Sequence, residues 1–101
     1  MAASDHLHPT LFHGSRQQFK PGDTIQPVTE ATYKERGYST PMPAFATENL
    51  NRARAFGHVY EVEPHDWRDV EWEEDEGEGA EEGDYAALSH TKGYKVIRKV
   101  K

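Results

Sequence analysis

The sequence predicts a small α+β domain built on a split or curled antiparallel β-sheet with one main helix. Three observations carry this. Five or six short stretches are apolar or alternate apolar with polar residues, the period of half-buried strands. One stretch, 48–56, spaces its apolar residues helically between a threonine and a glycine. Turn signals such as Pro21-Gly22 punctuate the rest. A length of 101 residues suits one domain spanning 1–101.

Residues 1–8 read as a loose lead-in, in which Asp5, His6 and His8 could nominally hold a metal but read as incidental, so no metal is expected. The first strand covers about 10–13 and delivers Leu11-Phe12-His13-Gly14-Ser15. At such a strand end His13 is aimed into a cleft with one hydrogen bond to give or take. Gly14 lets the backbone approach a flat ligand, and Ser15 adds a hydroxyl at the same rim. The bland alternative is a structural His-Gly turn. Thr24-Ile25-Gln26-Pro27 reads as an extended piece at a sheet edge, because Pro27 has no N–H for a central ladder.

Residues 28–42 have two readings. One is a short helix over 29–36, with Thr29 as N-cap and Gly37 as its stop. The other is a mobile loop over a binding cleft, with Tyr33, Tyr38 and Met42 touching a ligand rather than packing. Pro43-Ala44-Phe45-Ala46-Thr47 is a buried strand that feeds the helix at 48–56, capped by Thr47 and stopped by Gly57. Leu50, Ala53 and Phe56 share one helix face, so Phe56 is either core or the floor of a ring-binding pocket. His58 to Glu63 is a half-buried strand that Pro64 ends. Asp66 to Trp72 alternates again, with Val70, Trp72 and Arg68 on one face. Tyr94 to Val100 closes the chain as an edge strand, with Tyr94, Val96 and Val100 inward and lysines guarding the edge.

Charge is unevenly placed. Residues 71–84 hold nine acids and no base, and 73–84 read as a solvated, flexible acidic loop. The remainder carries 12 basic against nine acidic residues, enough to hold a phosphorylated ligand. The acidic run repels a phosphate backbone, so no nucleic-acid partner is expected. There is no cysteine, which excludes disulfides, thiolate metal sites and a thiol nucleophile. No apolar run reaches 18 residues and no signal-peptide pattern opens the chain, so the expectation is a soluble cytoplasmic protein without membrane contact. No internal repeat and no phosphate-binding glycine loop occur.

The order of pieces resembles the rifamycin ADP-ribosyltransferases. Leu11-Phe12-His13-Gly14-Ser15 followed by Lys20-Pro21-Gly22-Asp23 is similar to their opening. Ala44-Phe45-Ala46-Thr47, with a helix ending Phe56-Gly57, resembles their second block. Val59-Tyr60-Glu61-Val62-Glu63-Pro64 and Ser89-His90-Thr91-Lys92-Gly93-Tyr94-Lys95-Val96-Ile97 resemble the two segments that follow. The wider superfamily, with diphtheria-toxin-like and poly-ADP-ribose polymerase domains, shares the His-Gly-Ser/Thr opening.

The resemblance implies two small antiparallel sheets gripping NAD between them. His13 would bond the nicotinamide-ribose hydroxyls, the Gly14 backbone would pair with the carboxamide, and Ser15 would stand at the same rim. Phe45 would stack on the nicotinamide ring, with Phe56 as floor. An acid on a later strand would steady the cation that develops as nicotinamide leaves. Glu71, Glu73 and Asp75 are the candidates, with Glu73 favoured. The implied activity is mono-ADP-ribosyl transfer from NAD to a small-molecule or protein acceptor. Phe45 stands where the family has tyrosine, and the chain is short for the family, which points away from rifamycin itself. Two other classes compete. One is a catalytically inactive interaction or assembly protein of the same fold, for example phage-encoded, meeting a protein partner through the acidic segment or the basic last strand. The other is a nucleic-acid mimic built on the acidic run.

Overall fold

Leu11, at the start of the first strand, is fully buried, and the sheet is assembled around that strand. The computed structural model describes residues 8–100. Its strands are β1 (Leu11–Ser15), β2 (Thr24–Ile25), β3 (Ala44–Thr47), β4 (His58–Pro64), β5 (Val70–Glu74), β6 (Tyr85–Ser89) and β7 (Tyr94–Val100). One helix, α1 (Leu50–Arg54), follows β3. All pairings are antiparallel, in the order β2-β7-β4-β1-β3-β6-β5.

The expectation of two separate sheets is therefore corrected to one sheet of seven strands. The strand that joins its halves is β1. It pairs with β4 from Leu11↔Val62 to Ser15↔His58, and with β3 through Phe12↔Thr47. An α+β description still holds, but the helix is a minor element.

α1 is shorter than the expected 48–56, and its cap is Asn49 rather than Thr47. The Asn49 side chain accepts from the N–H groups of Asn51 (2.9 Å) and Arg52 (3.3 Å), satisfying two donors the first turn leaves free. Thr47 instead accepts from Asn49 N–H at 3.0 Å. Beyond Arg54 the bonds tighten to three-residue steps, Phe56 to Ala53 and Gly57 to Arg54. Gly57 then turns the chain at φ +127, where a side chain would be strained.

Other boundaries moved for local reasons. The start of the expected 66–72 strand is a 3-10 turn, Trp67–Asp69, because the Asp66 side chain caps it from Arg68 N–H. Val70 then packs on the core, Trp72 stays 41% exposed and Arg68 projects into solvent. β6 has no counterpart in the expectation. β2 is the edge strand, as expected, whereas β7 lies between β2 and β4. Its register shifts opposite Glu61 and Val62, which leaves Ile97 37% exposed. Tyr94 and Val96 do point inward, with no exposed surface.

The core is Leu11, Ile25, Ala44, Ala46, Tyr60, Val62, Ala87, Tyr94 and Val96, with Phe19, Trp67 and Val70 against it. Both buried tyrosines keep their hydroxyls bonded. Tyr94 donates to the Ala87 carbonyl at 2.6 Å, and Tyr60 accepts from Phe19 N–H at 3.0 Å. No helix among the described residues is long and apolar enough to cross a membrane.

Candidate functional site

A cleft opens where the ladder between β1 and β3 stops. Continued beyond Phe12↔Thr47, antiparallel pairing would set Gly14 opposite Phe45, but that pair does not form. The space beside Gly14 belongs to α1: a Cβ there would lie 1.8 Å from the Ala53 carbonyl oxygen. The sequence-based reason for this glycine was ligand approach; the structure adds helix packing. Across the gap His13 Nδ1 bonds the Phe45 carbonyl oxygen at 2.6 Å. A carbonyl only accepts, so Nδ1 carries the proton and Nε2 is an acceptor. Among the described residues Nε2 has no hydrogen-bond partner. Burial lowers the His13 pKa below 6.5 against the opposing pull of the Phe45 bond, so the neutral ring is favoured.

The cleft measures about 750 Å³, within the range of small-molecule sites. His13, Gly14 and Ser15 line one side, and Phe45 and Phe56 another. The third side is the 28–42 segment, through Val28, Arg36, Tyr38 and Met42. It is neither a regular helix nor an open loop. Val28 and Met42 exchange backbone bonds of 2.8 and 2.9 Å at its base, and a run of turns begins at Thr29 and ends at Gly37 (φ +83). Tyr38 and Met42 line the cleft; Tyr33 does not. Arg16 and Arg36 bring positive charge to the cleft, and among the described residues no carboxylate lines it.

The aromatic wall has a cation behind it. The Phe45 and Phe56 centroids are 5.4 Å apart at 57°. The Arg52 guanidinium lies 5.0 Å from the first and 4.6 Å from the second, yet does not line the cleft. Its Nε bonds both Asp75 oxygens (3.1 and 3.0 Å) and its Nη1 donates to the Glu78 carbonyl (3.2 Å). Asn49 Nδ2 adds bonds to Asp84 (2.6 Å) and the Gly79 carbonyl (3.1 Å). The acidic segment is thus divided. Glu71, Glu73 and Glu74 belong to β5, while the stretch from Asp75 to Asp84 is a hydrogen-bonded hairpin tip against α1.

His13, Gly14, Ser15, Phe45 and Phe56 therefore meet around one cleft; Glu73 is not brought into it. Register orders the three acid candidates. Phe45, Leu88 and Glu71 form one cross-strand row on a common face, which sets Glu71 two strand spacings, about 10 Å, from Phe45. Glu73 sits in the adjacent row with Ala86 and Thr47. Asp75 is buried on Arg52. The Glu71 carboxylate accepts from His90 Nε2 at 2.8 Å.

Of the lead-in residues, Asp5 and His6 lie outside the described residues. His8 stacks on Trp67 at 4.6 Å. Among the described residues no group of three potential metal ligands occurs. Arg52 went unread in the sequence. Its signal was the four-residue step to Phe56, which places the two on one helix face. No family model, curated protein or solved structure matches this chain.

Proposed function

We propose that the protein is an NAD-dependent mono-ADP-ribosyltransferase that passes ADP-ribose to a small-molecule or protein acceptor and releases nicotinamide. One observation carries the reading: a histidine with an acceptor nitrogen, a two-ring aromatic wall and two arginines converge on a single cleft. Those groups suit the parts of a dinucleotide. His13 Nε2 accepts from a ribose hydroxyl, Phe45 and Phe56 offer ring contact, and Arg16 and Arg36 meet the pyrophosphate. When bound, the dinucleotide would supply a ribosyl C–N bond whose electron pair returns to the ring nitrogen as the acceptor's nucleophile bonds the ribosyl carbon and gives up its proton to solvent. Fixed negative charge near the ribosyl carbon lowers that barrier. The candidates for that charge stand on β5, outside the cleft lining, with Glu71 in the Phe45 row and Glu73 in the next.

Isothermal calorimetry with NAD, with nicotinamide release followed in the same sample, tests the reading. Wild type binds and releases; Glu71→Gln and Glu73→Gln, compared side by side, keep binding, and the one that supplies the charge loses release by about 100-fold. Among the described residues no carboxylate lines the cleft, which favours a second reading, a dinucleotide-binding or protein-binding module without turnover. Binding without release from wild type, unchanged by any acceptor, selects the dinucleotide-binding module, and no binding selects the protein-binding one.

A further inference from the structure

The cation behind the aromatic wall bears on which ring the cleft prefers. We infer that Arg52 is a specificity-determining residue, which makes the Phe45–Phe56 wall favour an uncharged ring over a pyridinium cation. The inference rests on the proposed function and concerns the same cleft. An aromatic ring attracts a cation through its negative face. The Arg52 guanidinium already occupies that interaction at both rings, 5.0 and 4.6 Å from their centroids. It comes from outside the cleft, so a ligand ring stacks on the side that faces the cleft. A pyridinium placed there meets a second positive charge across the ring, whereas a neutral ring does not.

Asp75 and the Glu78 carbonyl hold the guanidinium in place, and the Asp75 carboxylate offsets part of its charge. The arrangement is sterically fixed as well, since a Cβ at Gly77 would lie 2.2 Å from Arg52 Nη2. For the proposed reaction this acts in one direction. The ring is cationic before the ribosyl bond breaks and neutral afterwards. Arg52 therefore disfavours the bound reactant relative to the departing nicotinamide, a role that a tyrosine hydroxyl at position 45 would not fill.

The test is a pair of calorimetric titrations, NAD⁺ and NADH, into the full chain as wild type, Arg52→Gln and Arg52→Lys. Wild type binds NADH more tightly by about five-fold, the scale of one cation–aromatic contact. Arg52→Gln tightens NAD⁺ and brings the ratio towards one, and Arg52→Lys preserves it. With an acceptor present, Arg52→Gln lowers KM and kcat together, the mark of relieved reactant destabilisation. Wild type binding NAD⁺ as tightly as NADH overturns the inference and leaves the proposed function standing. So does a ratio unchanged in Arg52→Gln. Should Arg52→Gln fail to fold, the wild-type ratio decides alone. Binding of neither dinucleotide overturns the proposed function, and this inference with it.

Discussion

His13 shows how one side chain links the fold to the cleft. It spans the place where the ladder fails, and the same bond to the Phe45 carbonyl fixes its tautomer. Its lowered pKa keeps Nε2 an acceptor, so on the proposed reading NAD titrations at falling pH should show binding that persists below pH 6.5 and is lost when the ring finally protonates. Asp69 plays a structural counterpart. Burial opposes its ionisation, but bonds from Ser89, Lys92 and Thr91 prevail and bring its pKa from 3.8 to about 2. A carboxyl lowered in the folded state stabilises above its unfolded value, and that stability disappears as pH falls through the folded one. Asp69→Asn is therefore less stable than wild type at neutral pH, and the gap closes between about pH 4 and pH 2. Urea midpoints measured across that window check it; a gap of constant size contradicts the assignment.

At the scale of elements, the helix and the central strand are packed through a missing side chain. Gly14 meets the Ala53 carbonyl where a Cβ would be 1.8 Å away. Gly14→Ala pushes α1 off β1, at about 3 kcal/mol for overpacking. In a domain of this size that lowers Tm by roughly 15 °C. Because Phe56 follows on from α1, the proposed NAD binding should weaken in the same variant. An unchanged melting curve would show that helix and strand are not in this contact. The hairpin tip is the other coupled element. Asn49 caps α1 and also bonds Asp84 and Gly79, so cap and tip share one side chain.

Across the whole molecule, much of the fold was legible, and what escaped has physical causes. β1, β3 and β4 announce themselves through apolar residues and flanking turn signals. β6 does not, because Tyr85-Ala86-Ala87-Leu88-Ser89 contains two poor strand formers after an acidic run. The single sheet was not readable either. Whether β1 and β3 pair depends on Phe12 meeting Thr47, 35 positions apart, and that contact is decided by packing rather than local pattern. Thr47 and Asn49 both suit an N-cap, and only the structure shows Thr47 fully buried and Asn49 doing the capping. In the cleft, Phe45 enters only through the resemblance, whereas His13, Gly14 and Ser15 are legible from the turn after the first strand and Phe56 as a candidate pocket floor. Arg52 is not, because Asp75, which orients it, lies 23 residues away. Position in the acidic run favours Glu73, while the row shared with Phe45 belongs to Glu71, a register that follows from β6.

The proposed function stands on one contact, that of His13 with NAD in the cleft beside β1. Titration of NAD into wild type and His13→Ala, with circular dichroism to confirm that both are folded, tests it most directly. Wild type is expected to bind, and the variant to lose at least about ten-fold, the scale of one charge-free hydrogen bond in a buried site. Equal binding by the two folded proteins, or none by wild type at millimolar NAD, would contradict it.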